Sequence, residues 1–288
     1  MNGIGSSAII GATYLAASVA VFVFGSSYYS LLRTNRSWIY RAALPIAASL
    51  AVWLCFQFSL TEMVRLLSIG FLAATTANFA GWAVAWLQRP LRISDDSMRG
   101  IALLKLLEAL AVVGAILLVL SVTQTPLSMA FLVKGKLGIG LAVGLGGFAL
   151  FAIVAVLQAR SLKRPTSKLL RLLPWILTFV FANAFMEELW FRGLFLGPLT
   201  GLVGSIAAAV LTAAVFALAH IGAVYLSKED RIRFLAILFP LGIGWALCIQ
   251  YTASLVASTL IHAGADLIIV HGLLGSLGDR STDGTNAS

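Results

Sequence analysis

The sequence predicts an all-α fold, a polytopic bundle of transmembrane helices, and three observations carry that prediction. The 288 residues are 60% hydrophobic and only 11% charged, whereas water-soluble domains sit near 45–50% apolar and about 25% charged. Apolar runs of about 20 residues, the length that crosses a hydrocarbon core, recur from end to end. Segments that alternate apolar and polar residues like the strands of a membrane barrel are absent. Helices are therefore the expected spanning element, because backbone polar groups in lipid must find their partners within the chain.

Nine spans are expected, at about 8–32, 42–60, 66–87, 101–121, 137–157, 174–197, 202–226, 234–252 and 254–275. The count falls to eight if the last two runs form one segment. Basic residues sit in alternate gaps: Arg33, Arg36 and Arg41 after the first span, and Arg89, Arg92 and Arg99 after the third. Arg160, Lys163, Arg164, Lys168 and Arg171 follow the fifth, and Lys228, Arg231 and Arg233 follow the seventh. The opposite gaps hold only Arg65, Lys134 and Lys136. Positively charged loops stay cytoplasmic, which places the N-terminus outside. The same distribution accounts for the net charge of +9 and argues against a nucleic-acid partner, because no basic face interleaved with aromatics is built.

The organisation read from these gaps is a five-helix N-terminal half (1–157) and a basic cytoplasmic loop (158–173), followed by four C-terminal helices (174–275) and a polar, disordered tail (276–288). The basic loop suits anionic headgroups, although topology alone explains it. No basic stretch precedes the first apolar run, so a cleaved signal peptide is not expected. Cys55 and Cys248 lie inside apolar segments without metal-ligand spacing and read as small buried hydrophobes.

Charges at membrane depth cost about 2.5–3.5 kcal/mol each on insertion scales, so each needs a reason. In the N-terminal half Lys105 and Glu108 lie one turn apart, where they can pair or snorkel. The C-terminal half differs. Its sixth span carries Glu187 and Glu188, with Arg192 four residues after the second. Glu188 and Arg192 share a helix face and are expected to form a structural ion pair. Glu187 is rotated about 100° away, free to face a cavity, with Asn183 one turn earlier on its face as a hydrogen-bond partner. The seventh span places Phe216 and His220 at i and i+4, and the ninth places His262 and Asp266 at the same spacing. An Asp one turn from a His can orient the imidazole or share a metal or substrate contact with it.

Relative depth depends on where the chain reverses between the sixth and seventh spans, a stretch holding Gly197, Pro198, Gly201 and Gly204. Reversal near 203 brings Glu187 and His220 level, and reversal near 198 separates them by about 15 Å. A carboxylate and two histidines in a low-dielectric cavity can activate water directly. Glu187, His220 and His262 can equally hold a divalent ion such as zinc, and both routes lead to hydrolysis. His271 belongs to no pattern and reads as a packing residue.

The three patterns together resemble the CAAX prenyl protease 2-like intramembrane proteases, the CPBP or ABI family, whose hallmarks are EExxxR, FxxxH and HxxxN or HxxxD on separate membrane helices. They appear here in order as Glu187-Glu188-Leu-Trp-Phe-Arg192, Phe216-Ala-Leu-Ala-His220 and His262-Ala-Gly-Ala-Asp266. Phe239-Pro-Leu-Gly-Ile-Gly and Thr252-Ala-Ser-Leu also look like family segments, with Ala253 standing where glycine is more usual. The resemblance covers about residues 175–272.

It implies an intramembrane protease acting on a membrane-associated protein or peptide, either glutamate-type or a metalloprotease. Glu187 would activate water, His220 would help hold it, and His262 and Asp266 would make the oxyanion or metal-side contacts. An ionised Asp266 cannot donate to an oxyanion; it must be protonated, orient His262 or bind a metal. Compact loops suit a bacterial inner membrane. Two other readings use the same residues: a non-catalytic membrane partner or immunity protein, and a proton-coupled transporter with a relay of buried acids and histidines. The latter lacks the expected inverted repeat.

Overall fold

The computed structural model describes residues 3–24, 46–47, 61–88, 90–91, 93, 95–222 and 228–283. All but two residues of the second expected span, Arg33, Arg36, Arg41, Cys55, Arg89 and Arg92 lie outside the described residues. Among those described, every regular element is helical. In chain order they are α1 (Gly3–Ser18), α2 (Glu62–Leu87), α3 (Met98–Val122), α4 (Leu137–Ser161), α5 (Thr166–Glu187), α6 (Leu196–Val203), α7 (Ser205–Ala219), α8 (Lys228–Thr252) and α9 (Val256–Asp283). A π-helical turn, Val19–Phe24, prolongs α1, and another, Glu188–Gly193, follows α5.

Among the described residues, six helical stretches are long and apolar enough to cross a membrane: Glu62–Leu87, Met98–Val122, Leu137–Ser161, Thr166–Val203, Asp230–Thr252 and Val256–Gly275. Two shorter apolar helices, Ser7–Val23 and Ser205–Ala219, fall where the first and seventh spans are expected. The bundle wears its apolar side chains outward. On α4 alone, Leu141, Leu145, Leu150, Ile153, Val156 and Leu157 are exposed, the surface of a helix facing lipid.

Three boundaries differ from the sequence reading. Helix α5 starts at Thr166, so the basic stretch 158–173 is helical apart from a connection at Leu162–Pro165. The sixth span was expected from about residue 174, but α5 runs through Pro174, whose carbonyl accepts from Thr178 Oγ1 at 2.9 Å. Helix α7 stops at Ala219, before the expected end of its span. Helix α9 continues to Asp283, past the point where the polar tail was expected.

The reversal between the sixth and seventh spans is at Gly204, whose φ of +86° suits a residue without a Cβ. Of the two turn positions the sequence left open, the structure takes the one that brings Glu187 and His220 level.

Helix α9 packs closely on α4 through glycines. A Cβ at Gly264 would stand 2.8 Å from Phe148 Cα, and one at Gly144 would stand 2.7 Å from Leu260 Cδ1. Small residues at such crossings let membrane helices approach and gain dispersion contact. His271, further along α9, points Nε2 at the Ala155 carbonyl of α4 at 2.9 Å, the packing role expected of it. Lys105 Nζ and Glu108 Oε2 pair at 2.6 Å on α3, also as expected.

The α8–α9 turn fixes the start of the helix that carries His262. Lys136 N–H donates to the Thr252 carbonyl at 2.7 Å, and Leu255 N–H to the Phe131 carbonyl at 3.2 Å. Between them Ala253 holds φ at +53°, a left-handed conformation that a Cβ disfavours by about 1–2 kcal/mol. This explains why glycine suits the position. Replacing Ala253 by Gly is expected to raise thermal stability by about 1 kcal/mol, read as a shift in the unfolding midpoint in detergent.

Candidate active site

The centre of the site is the π-helical turn that ends α5. Its hydrogen bonds run from Leu194 N–H to the Leu189 carbonyl, an i to i+5 closure that widens the helix by one residue. Every residue from Glu188 to Gly193 is buried. Glu188 and Arg192 have no exposed surface, and Arg192 Nη1 donates to Glu188 Oε1 at 2.6 Å. The guanidinium lies over the Phe216 ring at 4.4 Å and near Trp245 at 5.2 Å, so its faces are covered by π systems. The backbone of Gly242 leaves room for it: a Cβ there would come within 3.0 Å of Arg192 Nη2.

The pair does more than neutralise itself. Glu188 Oε1 also accepts from His262 Nδ1 at 2.8 Å. Arg192, Glu188 and His262 therefore form a buried chain across α5 and α9, with the carboxylate fixing which imidazole nitrogen carries the proton. His262 is further held by Trp245, whose ring stacks on it at 4.3 Å with an interplanar angle of 11°. Phe216 meets it edge-on at 5.6 Å.

His220 is oriented by a different device. Helix α7 ends one residue earlier, and the last carbonyls of a helix lack intrahelical partners. His220 Nδ1 donates to one of them, Phe216 O, at 2.8 Å. A carbonyl only accepts, so Nδ1 holds the proton and Nε2 is left with its lone pair when the ring is neutral. Phe216 thus contributes its carbonyl as well as its ring, which packs on His220 at 4.6 Å.

Both Nε2 atoms turn towards one carboxylate. Glu187 Oε2 lies 3.8 Å from His220 Nε2 and 3.5 Å from His262 Nε2. That oxygen is buried and has no hydrogen-bond partner among the described residues. Asp266 Oδ1 stands 3.6 Å from His262 Nε2, on the far side of the imidazole from Glu188. The separations between Glu187 and the two histidines exceed direct hydrogen-bond length and suit a small molecule such as water bridging the groups.

Two contacts differ from the sequence reading. Asn183 does not reach Glu187; its Nδ2 donates to Asp266 Oδ2 at 3.0 Å. The group that orients His262 through a hydrogen bond is Glu188, because Asp266 at 3.6 Å is too distant to donate or accept strongly. Helical spacing pairs residues within one helix and is silent about partners brought in from another. Trp245 escaped the sequence reading altogether, and Gly242 entered it only as part of the Phe239-Pro-Leu-Gly-Ile-Gly segment. A tryptophan in an apolar helix carries no signal separating a ring stacked on a buried histidine from one anchored at the lipid interface.

Among the described residues, no group of three or more His, Cys, Asp or Glu side chains is arranged to hold a metal ion. Zinc chemistry through Glu187, His220 and His262 therefore stays an expectation of the sequence, and the steps below run on the chain's own groups and water.

Residues 169–268 match the family model described as type II CAAX prenyl endopeptidase Rce1-like. Comparisons with curated proteins and with solved structures return no significant match. The matched stretch runs from α5 to the middle of α9 and contains the convergent side chains. Motifs, geometry and family model fall on the same helices: within an integral membrane protein, the segment 169–268 is similar to the CAAX protease-like (CPBP) family of proteases.

Proposed function

We propose that the protein hydrolyses a peptide bond of a membrane-associated peptide or protein, with Glu187 as the general base. The observation that carries this reading is the meeting of Glu187 Oε2 with His220 Nε2 and His262 Nε2, at 3.8 and 3.5 Å, contributed by three separate helices. Water bridging Glu187 and His220 gives up a proton to the carboxylate as its oxygen attacks the scissile carbonyl. The proton then passes to the leaving amine, and Glu187 returns to its starting state. His262, its Nδ1–H engaged by Glu188, offers Nε2–H in its protonated form to the developing oxyanion. Asp266, itself held by Asn183, faces that nitrogen and favours its donor form. This assigns Asp266 a role through its charge beside His262 Nε2, so it need not donate to the oxyanion itself.

Aromatic and apolar walls (Phe216, Trp245 and the buried turn) exclude bulk water and raise the value of each of these interactions. The compact bundle and its loop charges agree with a bacterial inner membrane.

The test uses purified protein in lipid vesicles with membrane-anchored peptides, cleavage being read by mass spectrometry. His220→Ala should lower cleavage by about 10²–10⁴-fold while leaving the folded yield unchanged. A chelator should leave the parent rate unchanged if the reaction is glutamate-type. Loss of activity on chelation, restored by zinc, would replace that mechanism with metal-assisted hydrolysis at the same residues. Full cleavage by His220→Ala would overturn the assignment.

A further inference from the structure

Helix α1 lies outside the matched segment, yet it is built into the wall behind the site. Tyr14 is 1% exposed and packs on Phe195 at 5.5 Å and Phe71 at 6.0 Å. Phe22, in the π turn that follows α1, touches Phe191 at 4.5 Å. Phe195 follows Arg192 by three residues, so Tyr14 sits against the face of the turn that carries the guanidinium, within electrostatic reach of it.

Tyr14 and Ser18 interact with each other, yet among the described residues the polar atoms gathered there are left short of hydrogen-bond partners. Arg192 uses Nη1 on Glu188, but its Nε and Nη2 are buried without hydrogen-bond partners. Glu188 Oε2, Tyr14 Oη and Ser18 Oγ are in the same condition. Ser18, four residues after Tyr14, has no exposed surface. A guanidinium only donates and a carboxylate only accepts, whereas a hydroxyl can do both. Leaving so many buried groups unpaired would cost about 1–3 kcal/mol each.

We propose that Tyr14 and Ser18 are positioning residues for the Arg192–Glu188–His262 chain. Their hydroxyls, through bridging water, accept from the free nitrogens of Arg192 and pass their own protons towards Glu188 Oε2. The N-terminal helix thereby closes the polar chain at its Arg192 end, completing a site whose other groups all lie in residues 169–268. The effect on cleavage rests on the function proposed above; the hold on Arg192 does not.

The experiment is nitrogen-15 NMR of the full-length protein in nanodiscs, labelled at arginine and histidine. The chain has three histidines, so His262 is assigned by comparison with a His262→Gln variant. In Tyr14→Phe, which removes only the hydroxyl, the Arg192 Nε–H signal should move and exchange with water about tenfold faster, the effect of losing one net hydrogen bond. The His262 Nδ1–H signal should move with it, while His271, which bonds to α4 instead, stays in place. Ser18→Ala should act in the same direction and keeps the test open if Tyr14→Phe does not fold.

Unaltered Arg192 and His262 signals in these variants would overturn the proposal. A peptide cleaved by the parent protein separates the two parts. A severalfold lower kcat at unchanged KM supports positioning for catalysis, and moved signals with unaltered cleavage would overturn the catalytic part alone.

Discussion

Glu187→Gln is expected to abolish cleavage while leaving the protein folded. The amide is nearly isosteric with the carboxylate but cannot take a proton from water, so the general-base contribution of about 10²–10⁴-fold is lost. Stability should hold or improve slightly. Among the described residues Glu187 Oε2 lacks a hydrogen-bond partner, and it faces two imidazole nitrogens at 3.5 and 3.8 Å. The glutamine can donate from its amide to the lone pair of His220 Nε2, which the carboxylate cannot. The measurement pairs cleavage of a membrane-anchored peptide with thermal unfolding in the same detergent. Retained cleavage would remove Glu187 from the chemistry and favour a non-catalytic role for the cluster. Proton-driven uptake in proteoliposomes that disappears in this variant would favour transport instead.

How much of this site could be read from the chain follows from where its contacts originate. The Glu188–Arg192 pair and the stacking of Phe216 below His220 are one-turn contacts within a single helix, and spacing alone placed them correctly. The all-helical bundle was legible for a related reason: chain length in lipid and backbone hydrogen bonding leave few alternatives. Contacts between helices were not legible. Asn183 lies one turn from Glu187 but spends its amide on Asp266, from α9. Glu188 adds His262 as a second partner, which turns a structural pair into the group that fixes an imidazole. Boundaries failed where a local rule met a tertiary exception. The apolar run begins at about residue 174, yet α5 starts eight residues earlier and passes through Pro174. Ala253 is the opposite case: the departure from glycine visible in the sequence coincides with a left-handed backbone.

Removing Arg192 should be the most destabilising single change in the site. Its partner Glu188 is fully buried, and deleting one member of a buried pair leaves an uncompensated charge, at about 3–5 kcal/mol. Arg192→Ala also opens a cavity beside the Phe216 and Trp245 rings, over which the guanidinium now lies. Lysine restores the charge without the flat surface that stacks on those rings, so Arg192→Lys should recover only part of the loss. The double change Arg192→Met with Glu188→Gln removes both charges and should restore more of the folded yield than Arg192→Ala retains, since no ion is left unpaired. It should not restore cleavage. With a neutral amide in place of Glu188, nothing of full charge holds the proton on His262 Nδ1, and the imidazole that faces Glu187 loses its fixed tautomer. Unfolding midpoints and size-exclusion profiles for the three variants, set beside their cleavage rates, separate the two roles. An Arg192→Ala protein as stable as the parent would show that the buried pair is not what holds the turn. A double variant that cleaves at the parent rate would show that Glu188 plays no part in orienting His262.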